Sequence, residues 1–164
     1  MIILYAYQVA SYLSMCKTAG VADNVNVRWS PWLKEDSECL DFSSVVYLYG
    51  LDELSFYIGI AYGQTVCQRW RDHLRDKTFI GRIRKLPNCD NGKIKVGELF
   101  LPDGQRYSKE KLEDIESLLI HKEWKRGGCR ANEKKTKFYN AFWRGLVVVN
   151  EGDYPPLLKS YEEE

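Results

Sequence analysis

Arg69 and His73 are polar residues whose spacing places them side by side on a predicted helix. They are four residues apart and therefore share one helical face. That face adjoins an apolar stripe formed by Val66, Trp70 and Leu74. Facing a cleft, a guanidinium fork can bind an anion and an imidazole can transfer a proton. The alternative is an exposed basic flank whose aliphatic stems cover apolar surface.

Glu116 lies within the apolar stripe of a second predicted helix. It follows Leu112 by four residues and precedes Leu119 by three. A carboxylate that faces the core is costly unless it is paired or bound to a cation. The spacing therefore predicts either a structural ion pair with an arginine or a ligand for a hard divalent ion. Mg²⁺ suits the second alternative because it often takes only one or two protein carboxylates.

Basic residues are concentrated in two stretches although the net charge of the chain is only +1. Residues 68–95 carry nine basic and three acidic side chains, and residues 122–137 carry seven and two. Gathered on one face, such residues suit the phosphate backbone of nucleic acid. Either stretch alone is also typical of a solvated surface. The residues of these stretches that we predict to contact nucleic acid are Arg71, Lys85, Lys134 and Lys135.

The overall composition excludes several classes of protein. The chain has 164 residues, which indicates one domain with a short appendage. Its five cysteines are odd in number and never spaced as C-x-x-C, which argues against a disulfide scaffold and an ordinary zinc site. No apolar run approaches the roughly 20 residues of a membrane span, and the first residues lack the basic region of a signal peptide. We therefore expect a soluble, cytoplasmic protein.

The elements that must position these side chains form a small α+β domain. β-Branched and aromatic residues predict two strands joined by a tight turn, and the apolar period then changes to that of a helix. Ser108 is the predicted N-cap of the second helix, and Gly127-Gly128 ends it. The predicted order is strand (43–51), strand (54–62), helix (65–77), extended chain (79–107) and helix (109–125). The extended chain is interrupted by predicted turns at residues 88–92 and 102–104. This order predicts a short antiparallel sheet flanked by helices.

The two ends of the chain are interpreted as separate from this domain. Residues 1–40 are predicted to be a helical or irregular extension, with an amphipathic helix over residues 9–16. Residues 41–150 form the main domain, and its NAFWRGLVVVN stretch is a last strand or a short helix. Residues 151–164 are predicted to be an acidic tail, loose or docked, outside the core.

The predicted hairpin carries two motifs that resemble the signatures of the GIY-YIG nuclease family. The stretch VVY (45–47) stands where the family has Gly-Ile-Tyr, and YIG (57–59) matches the second signature literally. Tyr47 and Tyr57 are ten residues apart, close to the family's separation. Two departures are Val45 in place of the first glycine and Ile60 where the family often has lysine or serine.

The predicted helices extend the resemblance in the family's order. Arg69 and His73 match an R-x-x-x-H pattern, and Glu116 matches the glutamate of a later helix. Asn132 stands for the asparagine that commonly follows after a basic loop. The resemblance covers about residues 43–135.

The resemblance implies a metal-dependent phosphodiesterase that acts on DNA. Glu116 would hold one Mg²⁺ or Mn²⁺ near the leaving oxygen, and Arg69 would bind the non-bridging oxygens. Tyr57 or Tyr47 would deprotonate the attacking water, with His73 as the alternative base. The sequence does not choose between these groups.

Other residues have subsidiary roles in this interpretation. Asn132 would position a neighbouring loop or a phosphate. Arg71 or Lys85 would substitute for the polar residue that Ile60 replaces.

The expected function is therefore a DNA endonuclease of restriction, phage or repair and recombination type. No separate recognition domain is evident, so specificity would come from residues 1–40, residues 79–107 or homodimerisation. The alternative is a nucleic-acid-binding module that kept the fold and lost catalysis. A third interpretation is a structural protein with an internal arginine–glutamate pair.

Overall fold

The computed structural model describes residues 24–33, 41–101, 108–136 and 145–162. These residues form an α+β structure with six strands, three α-helices and a short 3-10 turn at Cys89–Asn91. The predicted helix over residues 9–16 and the predicted turn at residues 102–104 lie outside the described residues. The elements are β1 (Asn24–Trp29), β2 (Val45–Leu51), β3 (Leu54–Ala61), α1 (Val66–Arg75), α2 (Lys77–Ile83), β4 (Lys93–Phe100), α3 (Lys109–Lys125), β5 (Val147–Gly152) and β6 (Ser160–Glu162).

The strands form one mixed sheet in the order β3-β2-β4-β1-β5-β6. The predicted hairpin of β2 and β3 is confirmed, and its pairing runs from Val45 opposite Ala61 to Leu51 opposite Leu54. β1 pairs in parallel with β5, whereas every other pairing of named strands is antiparallel. The predicted α+β class is confirmed, but the short antiparallel sheet that was predicted is a six-stranded mixed sheet.

The strand that the prediction missed is β1, which was included in the N-terminal extension. The segment alternates buried Val25, Val27 and Trp29 with polar residues, so it does have the period of a strand. Asn26 is nevertheless buried, because its amide donates a 2.7 Å hydrogen bond to Glu151. This bond to β5 satisfies the side-chain amide of Asn26. The polar residues of the segment had favoured its interpretation as an irregular extension.

Helix α2 replaces part of the predicted extended stretch. Asp76 ends α1 and caps α2, since its carboxylate accepts hydrogen bonds from the backbone of Thr78 at 2.8 Å and Phe79 at 3.3 Å. Phe79 and Ile83 are buried four residues apart, which is a helical period rather than a strand period. The prediction of an extended conformation over residues 79–83 is therefore wrong.

The sheet is packed on both faces because its strands alternate their side chains. Val46 and Leu48 of β2 belong to the core beneath α3, and Tyr47 and Tyr49 belong to the core beneath α1 and α2. The predicted stripe of α3 is confirmed, since these four side chains are fully buried: Leu112, Ile115, Leu118 and Leu119. Its N-cap is confirmed as well, because Ser108 accepts a hydrogen bond from the backbone of Lys111 at 3.2 Å.

The segment after α3 covers the outer edge of β3. The backbone N–H groups of Cys129 and Ala131 donate to the carbonyls of Ser55 and Phe56 at 2.7 and 2.9 Å. These bonds satisfy groups that an edge strand would leave open. They also hold residues 129–132 against the hairpin that carries both tyrosines.

The C-terminal residues belong to the core, so the prediction of a tail outside it is wrong. The stretch 140–150, predicted as a strand or a short helix, contributes its last four residues to strand β5, and its residues 140–144 lie outside the described ranges. Strand β6 pairs with β5 in antiparallel register. Leu157 and Tyr161 are buried in the core beneath α3. Tyr161 also donates a hydrogen bond to the buried Glu123, an anchor that the acidic composition of the segment does not indicate.

Within the described parts of the chain, no helix is long and apolar enough to span a membrane.

Candidate active site

The β2–β3 hairpin holds Tyr47 and Tyr57 on the same face of the sheet. Tyr47 is paired with Gly59, so Tyr57 is its diagonal neighbour and the ring centroids are 6.0 Å apart. A Cβ atom at Gly59 would lie 2.7 Å from the Tyr47 ring and 2.8 Å from the Tyr57 ring. Gly59 thus leaves the space in which the two rings meet.

His73 points from α1 toward both tyrosines. Its Nε2 atom is 2.8 Å from the hydroxyl of Tyr47 and 3.2 Å from that of Tyr57. Leu74, which was predicted to be buried, is 46% exposed, so that part of the predicted stripe is wrong. At about 100° per residue, a position seven residues after Val66 returns to within about 20° of its direction, whereas one eight residues after it does not. His73 therefore takes the inward position.

The environment keeps these three side chains uncharged at neutral pH. Burial raises the pKa of Tyr57 to about 12 and, together with the neighbouring Tyr57, raises the pKa of Tyr47 well above its ordinary value. Burial, followed by the charge of Arg69, lowers the pKa of His73 to about 4. Neutral His73 is consequently the group of the three that can take up a proton.

Arg69 lies one helical turn before His73 and faces the same cluster. Its positive charge lowers the pKa of both tyrosines, of His73 and of the Glu116 carboxyl. No hydrogen bond joins its guanidinium to another residue in the described ranges. The guanidinium is thus a permanent positive charge whose field reaches both tyrosines, and its N–H groups can donate to an anion.

Glu116 approaches the same cluster from α3, as its core-facing position predicted. Its side chain is 13% exposed, and its Oε2 atom lies 2.6 Å from the Nζ atom of Lys135. Lys135 also donates to the carbonyl of Glu113 at 3.2 Å. Burial raises the pKa of Glu116, and the ammonium of Lys135 opposes that rise. The ion pair that the sequence left open is thus made with a lysine rather than an arginine.

Hydrogen bonds thus bring Tyr47, Tyr57 and His73 together, and the charges of Arg69 and Glu116 act on the pKa of both tyrosines.

The predicted DNA contacts divide into buried or paired residues and exposed ones. Asn132 is 8% exposed, and its amide both accepts from the Ile58 N–H at 3.0 Å and donates to the Ile58 carbonyl at 2.8 Å. Asn132 thus positions a loop against β3, with its Oδ1 atom and one of its two amide hydrogens engaged by the Ile58 backbone. Lys135 is paired with Glu116, and the other three candidates are exposed on the surface: Arg71, Lys85 and Lys134.

One member of the predicted basic surface is not available to a ligand. Lys95 is fully buried, with its Nζ atom 2.6 Å from the carbonyl and 3.0 Å from the carboxylate of Asp153. Its ammonium also lies 4.6 Å from the centroid of the Trp32 ring. The number of basic side chains at the surface is therefore smaller than the sequence count indicates.

Two residues of the site were missed by sequence reasoning. Phe79 stacks on His73 with ring centroids 4.6 Å apart and meets the Tyr57 ring edge-on at 5.0 Å. Arg82 lies one turn further along α2, and its charge lowers the pKa of both Tyr57 and His73. A helical reading that starts at the Asp76 cap would place Phe79 and Arg82 on one face. The prediction of an extended chain over these residues did not place Phe79 and Arg82 on the same side.

The donor set of the site suits a metal held mainly by water and substrate. No group of three or more histidine, cysteine or acidic side chains in the described ranges could hold a metal ion. Lys135 occupies Oε2 of Glu116, while Oε1 receives no hydrogen bond from a described residue. One carboxylate oxygen fits the binding mode of Mg²⁺, which keeps several waters and takes phosphate oxygens.

The site thus combines three chemical groups that come from separate elements. Arg69 is suited to binding an anion, His73 accepts a proton next to two tyrosine hydroxyls, and Glu116 supplies one carboxylate. Together they suit hydrolysis of a phosphate ester. Among known proteins, no family model, curated protein or solved structure matches this chain.

Proposed function

We propose that this protein is a divalent-metal-dependent DNA endonuclease of the GIY-YIG type, which hydrolyses phosphodiester bonds. The observation that supports the proposal is the hydrogen-bonded cluster of two tyrosines and a neutral histidine, on which the charge of Arg69 acts, with the charge of the buried Glu116 acting on both tyrosines. These groups come from β2, β3, α1 and α3, so their meeting is a property of the fold and not of one local motif. Restriction, phage, and repair or recombination roles are all compatible with this chemistry.

Tyr57 is the group that we propose takes the proton of the attacking water. Tyr47 is fully buried, whereas Tyr57 is only half-buried and can reach solvent. In the tautomer with its proton on Nδ1, His73 accepts the Tyr57 hydroxyl proton at Nε2 while the Tyr57 oxygen takes the proton of the water. The product of this step is an imidazolium, whose new Nε2–H can donate to the Tyr47 oxygen 2.8 Å away. The proposal thus chooses Tyr57, acting through His73, among the bases that the sequence left open.

Arg69 and Glu116 supply the electrostatic part of the proposed reaction. The Arg69 guanidinium binds the non-bridging oxygens of the scissile phosphate, where charge increases in the transition state. Glu116 would hold Mg²⁺ or Mn²⁺ through the oxygen that Lys135 leaves open. When bound, such an ion neutralises charge on the leaving oxygen. Lys135 meanwhile keeps the buried carboxylate paired.

A second candidate function is a nucleic-acid-binding module without catalysis. The 2.6 Å ion pair between Glu116 and Lys135 favours it, because that pair satisfies a buried carboxylate without any metal. Ile60, which supplies no polar group beside the hairpin signature, points the same way. In such a module Glu116 has a structural role only.

The test is cleavage of supercoiled and linear DNA in Mg²⁺ or in EDTA, with DNA binding measured in parallel. Glu116→Gln and Arg69→Ala are the site variants, and the exposed Glu110→Gln and Arg75→Ala are matched controls on the same helices. We expect Mg²⁺-dependent cutting that falls on the order of a hundredfold or more in both site variants and persists in both controls.

Two results would contradict the endonuclease proposal. One is cutting by Glu116→Gln at the rate of Glu110→Gln. The other is no cutting of any DNA form while wild type and Glu116→Gln bind DNA equally, which supports the binding module.

A further inference from the structure

Arg82 is a partly buried arginine that is held rigidly beside the candidate site. Its Nε atom donates to the carbonyl of Ala131 at 2.9 Å, and its guanidinium carbon lies 5.9 Å from the centroid of the Phe79 ring. The side chain is 23% exposed. Ala131 is itself bonded to β3, and Phe79 is stacked on His73, so both supports of Arg82 are parts of the site.

The charge of Arg82 is only weakly engaged by its carboxylate partner. The Nη1 atom lies 2.9 Å from a carboxylate oxygen of Glu133, yet this buried nitrogen has no aligned hydrogen bond. The Glu133 side chain is 63% exposed, so the carboxylate can move into solvent at little cost. The Nη2 atom makes no hydrogen bond to a residue in the described ranges. Arg82 thus keeps unused donors next to a partner that is easily displaced.

We propose that Arg82 is a second phosphate-binding residue of this site, and that Glu133 is the internal anion that a nucleic-acid phosphate displaces. The inference rests on the proposed function, since it assumes a DNA backbone beside Tyr57 and His73. The Arg82 guanidinium supplies the positive charge that Ile60 does not provide. The exposed Arg71 and Lys85 were the sequence candidates for that role, but Arg82 is the one whose charge reaches the cluster.

The geometry explains why a phosphate would replace Glu133. An arginine fork pairs best with two oxygens in its own plane, as a phosphate can offer. The carboxylate of Glu133 approaches one nitrogen only, without an aligned hydrogen bond. Because the free protein already neutralises part of the Arg82 charge, Glu133 weakens DNA binding. Its removal should strengthen binding only while Arg82 is present.

The experiment is a double-mutant cycle on DNA affinity, measured by fluorescence anisotropy of a labelled duplex in EDTA so that no cutting occurs. Glu133→Gln should tighten binding about three- to tenfold. The exposed Glu110→Gln removes the same charge far from Arg82 in the sequence and should change affinity less. Arg82→Gln should weaken binding about tenfold, lower the salt slope by about one and abolish the gain from Glu133→Gln.

Two outcomes would overturn the inference about Arg82. One is an equal gain in Glu133→Gln and Glu110→Gln, which indicates a general charge effect. The other is a gain from Glu133→Gln that persists in the Arg82→Gln background. Glu133 is exposed, so the first comparison stands even if Arg82→Gln fails to fold. If the wild type cuts DNA but the effect of Glu133→Gln does not depend on Arg82, only the Arg82 inference is contradicted. If that effect depends on Arg82 but no DNA is cut, only the endonuclease proposal is contradicted.

Discussion

His73 is the residue whose protonation is most altered by the fold. Two hydroxyl groups, an aromatic ring and the Arg69 charge surround its imidazole, and its pKa falls from 6.5 to about 4. Between those two pH values the unfolded chain binds a proton that the folded protein does not. The stabilisation is therefore complete above pH 6.5 and is lost as the pH falls toward 4.

A histidine variant should remove this pH dependence of the free energy of unfolding. After allowance for the partial exposure of the ring, we expect wild type to lose on the order of 1–2 kcal/mol between pH 7 and pH 4.5 through this group. His73→Gln should lose correspondingly less over the same range. Urea unfolding at several pH values checks this, with His121→Gln as the control for a histidine outside the site. Parallel curves for wild type and His73→Gln would show that His73 titrates normally.

Helical spacing predicted some residues of the site but not their partners. Arg69, His73 and Glu116 could be placed because a period of 3.6 residues fixes which side chains share a face. Lys135 could not be assigned to Glu116, because the two are 19 residues apart and joined through a loop. Which charge pairs with which across such a loop depends on tertiary structure, and local sequence patterns do not encode it.

At the scale of elements, the hairpin and α3 were predictable, and β1 and α2 were not. Strands β2 and β3 carry strong β-branched and aromatic patterns, and α3 has a long apolar stripe with an N-cap. Helix α2 has seven residues, so two apolar side chains four apart are its whole periodic signal. Strand β1 has the alternating period of a strand, but the burial of its polar residue Asn26 could not be predicted, because the partner Glu151 lies 125 residues away in β5.

Asn132 holds one element to another, and its removal should destabilise the edge of β3. The variant Asn132→Ala leaves the Ile58 N–H and carbonyl without partners in a buried place, at about 1–3 kcal/mol for each unsatisfied group. We expect a loss of roughly 2–4 kcal/mol in unfolding free energy and faster hydrogen exchange at the Ile58 amide. The exposed Asn91→Ala serves as control. Equal stability of the two variants would contradict the anchoring role.

At the scale of the whole molecule, Glu123 ties both edges of the sheet to the end of α3. Ser55 of β3 donates to one of its oxygens at 2.8 Å, and Tyr161 of β6 donates to the other at 2.5 Å. Arg126 is also paired with this buried carboxylate. β3 and β6 are the first and last strands of the sheet, so one side chain connects the opposite edges. The C-terminal residues thus stabilise the fold at a place separate from the proposed chemistry.

Loss of the Tyr161 hydroxyl should therefore weaken the fold without changing the proposed DNA site. Tyr161→Phe keeps the buried ring but removes a donor to Glu123 and an acceptor for the Leu158 N–H, so we expect a loss of about 1–3 kcal/mol. Tyr154→Phe is the control, because its hydroxyl has no partner among the described residues.

Combined with Ser55→Ala, the effect of Tyr161→Phe should be non-additive, since both hydroxyls share one carboxylate. Denaturant unfolding measures the stabilities, and DNA affinity in EDTA should match wild type in Tyr161→Phe. Equal stability of Tyr161→Phe and Tyr154→Phe would show that Glu123 is held without β6, and a weakened DNA affinity would show that the sheet edge and the site are coupled.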